Sequence, residues 1–205
     1  MKSAASFVLE NKGASAAEFA LVLPAFLLLF LGTIDVGRYM WNVGQLEKAT
    51  MMGARYAVVT DMVPSGLADY KFAIDGGIPQ GNPVPRTAFK GVTCSSENGA
   101  VTCACIDSAV CSHAVGQDAD AFNNIVDRMR LVYGGLGSNS VHVDYTWSGL
   151  GYSGDPEGSD VDPIVTVRLE DVPFRPLILG TLRNTGLPGT SHSLTQEDGK
   201  GDQSF

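Results

Sequence analysis

The fold of this chain is decided by residues 14–34, which read ASAAEFALVLPAFLLLFLGTI. The stretch is apolar apart from a single charge, on Glu18. At about 1.5 Å per residue, a helix of this length spans the roughly 30 Å hydrocarbon core of a bilayer. The sequence therefore predicts one transmembrane helix near the N-terminus, with a kink at Pro24.

Glu18 is an unfavourable residue for such a helix. A carboxylate at membrane depth is disfavoured by roughly 2.5 kcal/mol or more unless it is neutralised, paired or close to the interface. One interpretation places Glu18 at headgroup level, where it favours the positive N-terminal end of the helix dipole. The other interpretation gives Glu18 a function within the membrane.

The residues before Glu18 favour a function. Gly13 is followed by a small residue, Ala14, and lies five positions before Glu18, which is followed by Phe19. This arrangement resembles the processing site of type IV prepilins, and most closely that of their Flp/Tad branch. The resemblance implies that a prepilin peptidase cleaves between Gly13 and Ala14, and that Glu18 and Phe19 take part in assembly.

The helix is predicted to continue beyond the apolar stretch. Residues three or four apart form one stripe, which consists of Val36, Tyr39, Val43, Leu46, Thr50, Gly53 and Ala57. Polar residues occupy the other faces, and Asp35 and Arg38 are expected to pair on the helix surface. Residues 14–60 are therefore predicted to form a transmembrane and amphipathic helix, after a leader at residues 1–13.

Two segments of this helix resemble one pilin family. Residues 34–38, IDVGR, and residues 49–57, ATMMGARYA, look like the N-terminal signature of TadE/TadG-like proteins, which are minor pilins or pseudopilins of the Flp/Tad type IV pilus system. The resemblance covers residues 13–60. It implies a single-pass protein of the bacterial inner membrane, with a cytoplasmic N-terminus and a periplasmic C-terminal domain, or its incorporation into the pilus. The implied partners are a prepilin peptidase, other Tad pilins and pseudopilins, the inner-membrane Tad assembly platform and the lipid bilayer.

Charge and motif content argue against nucleic-acid binding and against catalysis. The net charge is −8, and the first 34 residues contribute none of it because two lysines balance two glutamates. An acidic domain argues against nucleic acid as a partner. The three histidines have no acid or nucleophile at a known motif spacing, and no glycine loop is placed to bind phosphate. We therefore expect neither catalysis nor a bound cofactor.

Residues 61–188 are predicted to form a small periplasmic α+β domain with an antiparallel sheet. An amphipathic helix is expected over Gln117–Tyr133, and strands are expected over Ser140–Trp147 and Ile164–Leu169, where apolar and polar residues alternate. The segment Pro173–Leu179 resembles the close of the TadE-like domain, where a strand leads into an apolar segment that returns toward the helix. Residues 189–205 are polar and glycine-rich, and are predicted to be disordered.

Four cysteines cluster within the domain, at Cys94, Cys103, Cys105 and Cys111. An even number of cysteines indicates disulfides and an oxidising compartment such as the periplasm. The Asn-Gly pair at positions 98–99 predicts a two-residue hairpin turn that sets Cys94 opposite Cys103, in a pair whose Cα atoms lie about 4.5 Å apart. Cys105 is then expected to pair with Cys111.

Two metal sites remain open as alternatives. Cys103, Cys105, Cys111 and His113 offer four possible zinc ligands, although the paired C-x-x-C spacing of structural zinc sites is missing. The loop from Ser148 to Pro163 carries acids that calcium could bind, although their spacing lacks the EF-hand pattern. These acids are Asp155, Glu157, Asp160 and Asp162. A solvated acidic loop, which is long enough to form a binding tip, is the simpler prediction.

The sequence thus predicts a membrane-anchored minor pilin or pseudopilin that takes part in assembly of a Flp/Tad pilus or its secretion machinery. One alternative is an unprocessed single-pass protein with a periplasmic binding domain. The other is a membrane-anchored hydrolase.

Overall fold

The structure, a computed structural model, describes residues 14–111, 115–156, 158–177 and 185–197. Its fold is α+β, as predicted, because a long N-terminal apolar helix is followed by a small domain with a further helix and a five-stranded antiparallel sheet. The chain divides into two compact units. The first comprises residues 1–41 and 174–185, and the second comprises residues 42–173 and 186–205. The predicted leader, including Gly13, lies outside the described residues.

The elements follow one another in this order: α1 Ala14–Ala57, α2 Ser65–Asp69, β1 Gly91–Glu97, β2 Ala100–Cys105, α3 Ala119–Arg130, β3 Val141–Thr146, β4 Ile164–Leu169, β5 Pro173–Phe174, β6 Thr185–Gly186 and β7 Thr190–Thr195. Short 3₁₀ turns occur at Ser108–Val110 and Ser138–Ser140. The helix predicted over residues 117–133 is therefore shorter at both ends. The strand predicted over residues 140–147 loses one residue at each end, and the second predicted strand has the expected bounds.

Helix α1 is 44 residues long and includes Pro24. It is long and apolar enough to cross a membrane, as its sequence predicts. It ends three residues before the predicted boundary at position 60. From Asn42 onward α1 belongs to the second unit, where its buried residues include Leu46, Ala49, Thr50, Ala54 and Ala57.

The core of the second unit lies between α1, α3 and the sheet. Asp118 begins α3 as its N-cap and accepts hydrogen bonds from the amides of Asp120 and Ala121, both at 2.9 Å. Helix α3 then buries one face, formed by Ala121, Phe122, Ile125, Val126 and Met129. A Cβ atom at Gly53 would lie 2.7 Å from the sulfur of Met129, so α1 lies close to α3 here and a larger residue would require the Met129 side chain to shift.

The five-stranded sheet has the order β2-β1-β3-β4-β7, and every neighbouring pair is antiparallel. The strands bury alternate residues, including Val143 and Tyr145 of β3 and Val165 and Val167 of β4. The small strands β5 and β6 form a separate two-stranded sheet.

The prediction that residues 189–205 are disordered is wrong for the part of this segment that the structure describes. Residues 190–195 form β7, which pairs with β4 along its whole length, for example His192 opposite Val167. Pairing with β4 satisfies the backbone, so a polar Ser/Thr-rich strand needs little apolar burial to be ordered. The next residue, Gln196, is buried.

Candidate functional site

The N-terminal part of α1 presents an apolar surface to its surroundings. Glu18 is exposed, and so is Phe19. They are followed by exposed large apolar side chains, which include Leu21, Val22, Phe26, Leu28, Leu29 and Phe30. A contiguous apolar surface of this kind marks contact with a membrane or with protein partners. The structure therefore places Glu18 and Phe19 at the start of that surface.

Asp35 is buried, although the sequence predicts it on the helix surface. The residue is 3% exposed, and its Oδ1 accepts a hydrogen bond from the backbone amide of Leu177 at 2.8 Å. The expected pair with Arg38 is present, with 3.6 Å between Nη1 and Oδ1. Val36, which belongs to the stripe predicted along this helix, is exposed. Asp35 is buried in its place because the segment after β5 covers it.

Phe174, the last residue of β5, contacts α1 just before that segment. The ring of Phe174 packs edge-on against Tyr39, with 5.3 Å between ring centroids. The guanidinium of Arg38 lies 5.8 Å from the centre of the Phe174 ring, within the range of a cation–π interaction. The predicted return of this segment toward the helix is confirmed by these contacts. Leu177, in contrast, is 70% exposed.

The cysteines form two disulfides, Cys94 with Cys103 and Cys105 with Cys111. The hairpin register is the one that the Asn-Gly turn predicts, with Cys94 opposite Cys103 and a Cα–Cα distance of 4.1 Å. Asn98 and Gly99 both adopt positive φ angles, which this turn requires. The zinc alternative is contradicted, since all four cysteines are used in disulfides. His113 lies outside the described residues.

A salt bridge stabilises the loop closed by the second disulfide. Lys90 donates a hydrogen bond to Asp107, which also accepts from the amide of Ala109 and so caps the short 3₁₀ turn. The hydrogen bond from Lys90 holds the pKa of the Asp107 carboxyl below its usual value.

The acidic loop before β4 is not simply solvated. Asp160 is fully buried, and its carboxylate accepts hydrogen bonds from the amides of Phe72 at 2.7 Å and Asp155 at 3.2 Å. Lys71 lies 3.5 Å from the same carboxylate and donates to the carbonyl oxygens of Asp155 and Gly158. The positive charge beside this buried carboxylate is therefore supplied by a lysine.

The described acids that remain in this loop, Asp155 and Asp162, do not complete a metal site with Asp160. Burial, with the charge of Asp155 as a second cause, raises the pKa of the half-buried Asp162. Glu157 lies outside the described residues. Within the part of the chain that the structure describes, no group of three or more His, Cys, Asp or Glu residues is arranged to hold a metal ion.

The sequence reasoning missed a polar network on the solvent face of the sheet. Asp144 accepts hydrogen bonds from Thr93 at 2.6 Å and from Arg168 at 2.5 Å, and Arg168 also pairs with Glu170. The hydrogen bond with Asp144 raises the pKa of Arg168. The signal in the sequence was the opposite charge of Asp144 on β3 and Arg168 on β4, at positions that alternate with buried residues. The network links three strands and supports the sheet.

A known protein family matches the N-terminal part of the chain. Residues 13–55 match the family model described as TadE-like protein, which is consistent with the TadE/TadG-like family of Flp/Tad pilus systems. This is a structural family associated with pili. No match was found among curated proteins or among solved structures.

Proposed function

We propose that this protein is a membrane-anchored minor pilin or pseudopilin that takes part in assembly of a Flp/Tad type IV pilus or its secretion machinery. One observation carries the proposal: residues 13–55 match the TadE-like family model, and within this stretch the described residues from Ala14 onward form one long apolar helix. Cleavage after Gly13 would therefore leave a mature chain that is helical from its first residue. The proposed partners are a prepilin peptidase, other Tad pilins and pseudopilins, and the inner-membrane assembly platform.

Glu18 has a specific role in this proposal. Cleavage creates a positive amine at Ala14, and Glu18 lies one helical turn further along an exposed apolar surface. In apolar surroundings, the amine of a neighbouring subunit is a natural partner for the Glu18 carboxylate. Such a pair would set the axial register between adjacent helices, with Phe19 beside it in the contact.

The chemistry of the cysteines supports one orientation of the chain in the membrane. Two disulfides in the second unit support an oxidising compartment, since thiols remain reduced in the cytoplasm. We place the second unit in the periplasm and the N-terminus of α1 in the cytoplasm, with α1 crossing the bacterial inner membrane once.

Intact mass spectrometry of the protein recovered from membranes tests the proposal. Co-expression with an active Tad prepilin peptidase should remove residues 1–13, and Gly13→Trp should block the removal. Gly37→Trp is the matched control, because the space around Gly37 is open and the change lies far from the junction. Its mass should show normal cleavage.

Retention of residues 1–13 in the wild-type protein, while the same peptidase processes a major pilin, would contradict the proposal. That result would favour the unprocessed single-pass protein instead.

A further inference from the structure

The segment after β5 is held at the level where α1 ends its apolar stretch. Asp35 is the first residue after the 14–34 stretch, and its carboxylate accepts the hydrogen bond from the Leu177 amide at 2.8 Å. The contact between Phe174 of β5 and Tyr39, one turn further along α1, holds the start of this segment. Because about twenty residues of helix cross the hydrocarbon core, Leu177 is held at the depth of the membrane interface.

The side chains at this level are apolar and exposed. Leu177 is 70% exposed, and on α1 both Met40 and Trp41 are exposed. Trp41 lies six residues beyond Asp35, or about 9 Å along the helix axis, which is within the headgroup region. Tryptophan is enriched at this depth because its ring is apolar and its N–H is polar. The exposed Leu177, held at the level of Asp35, has the same preference for a partly apolar surrounding.

The charge of the segment also differs from that of the rest of the chain. The protein has a net charge of −8, yet its sequence from Pro173 to Thr185 contains two arginines and no acid. Arg175 is exposed, and Arg38 is partly exposed on the adjacent helix. Asp35, the acid of the contact, is buried against Arg38 and Leu177. Arg38 and Arg175 therefore offer exposed positive charge beside this contact, which favours anionic lipid headgroups.

We infer that Arg38, Trp41, Arg175 and Leu177 form an interfacial patch that inserts into the headgroup region of the anionic bilayer crossed by α1. The inference rests on the proposed membrane span of α1 and adds a second membrane contact beside it. A contact displaced from the helix axis fixes the rotation of α1 about that axis. The patch would thus determine which face of the membrane helix is presented to neighbouring subunits.

Depth-dependent fluorescence quenching of the full chain tests the patch. The protein is reconstituted in vesicles of phosphatidylethanolamine and phosphatidylglycerol, and a Leu177→Cys variant is labelled with an environment-sensitive dye. All four native cysteines are in disulfides, so the introduced thiol alone reacts. Lipid carrying a nitroxide near the headgroup should quench this dye. Leu131→Cys is the matched control, since Leu131 is a leucine of similar exposure, 77%, in the second unit.

Charge gives a second arm to the experiment. Replacing phosphatidylglycerol by a zwitterionic lipid, or Arg175→Gln in the labelled chain, should lower the quenched fraction by up to about fivefold, because each arginine near an anionic surface contributes that factor. A dye at Leu28→Cys, in the middle of the apolar stretch, reports separately on the span through a nitroxide deep in the acyl chains.

Each outcome decides a separate claim. Quenching at position 177 no stronger than at position 131, with Leu28 quenched, would overturn the patch and leave the span intact. No quenching at Leu28 would overturn the span and the proposed function with it. The dye at position 177 could instead be shielded from water without being quenched by lipid nitroxides. If that shielding grows with protein concentration, the surface contacts a second copy of the chain, and the inference is refuted.

Discussion

Removal of the Asp160 charge should loosen the acidic loop without unfolding the protein. In Asp160→Asn the side chain keeps its size but loses its charge, and one amide oxygen replaces two acceptors. Those acceptors now serve the amides of Phe72 and Asp155 and the ammonium of Lys71. At least one buried donor is therefore left without a partner.

The magnitude follows from the burial of the two charges. Breaking a buried ion pair costs about 3–5 kcal/mol. Lys71 is 33% exposed and keeps two carbonyl acceptors, at 3.0 Å and 2.9 Å, so water and these carbonyls offset part of the loss. We expect Asp160→Asn to lower the free energy of local opening by about 2–3 kcal/mol.

Hydrogen exchange of the full chain, followed by mass spectrometry, measures this opening directly. A loss of about 2–3 kcal/mol corresponds to exchange about 30- to 150-fold faster at the amides of Phe72 and Asp155. Asp127→Asn is the control, because Asp127 is 67% exposed in a surface pair with Arg130 and should change exchange by about twofold or less. Equal exchange in Asp160→Asn and Asp127→Asn would refute the reasoning.

Three further predictions concern other parts of the chain. Glu18→Ala should leave cleavage intact but reduce co-purification with other pilins. The control Glu47→Ala removes an exposed glutamate further along α1 and should leave co-purification unchanged. Equal recovery of the two variants would mean that Glu18 merely sits at the membrane interface. Replacing Cys94 and Cys103 by serine should destabilise the domain by about 2–3 kcal/mol, the loop-closure term for a sequence separation of 9, with a cooperative melt retained in circular dichroism. Burial raises the pKa of Asp162 above 3.8, so ionisation of this carboxyl opposes folding. Asp162→Asn should therefore raise Tm at pH 7 and leave Tm unchanged once the pH falls below 3.8. An unchanged Tm at both pH values would contradict the raised pKa.

The elements that the sequence predicted depend on local patterns. Apolar length indicates α1, alternation indicates β3 and β4, and the Asn-Gly turn fixes a hairpin register from which the Cys94–Cys103 pairing follows by counting. Each of these signals lies within a few residues of the feature that it predicts. The fold class and the disulfide pairs could therefore be predicted from the order of the amino acids alone.

The features that the sequence did not predict depend on distant partners. Asp35 is buried by the amide of a residue 142 positions later, and Asp160 is buried by contacts 88 positions earlier. Asp35 looks like a surface residue because Arg38, three residues on, can pair with it, and Asp160 does so because other acids lie in the same loop. Strand β7 was missed for the same reason, since its order comes from pairing with β4 and not from its own composition.

The position of β7 near the end of the chain has a consequence for folding during synthesis. The carbonyl of Val58, just beyond α1, accepts hydrogen bonds from the side chain of Gln196 and the amide of Glu197, and the first of these bonds spans 138 residues. Until β7 has been made, β4 is the edge of the sheet, and an unpaired strand that contains Val165 and Val167 attracts other chains. Addition of β7 moves the edge to a strand that consists mostly of serine and threonine. Contacts between distant parts of a chain also form slowly. A chain truncated before Thr190 should therefore aggregate more readily than the full chain.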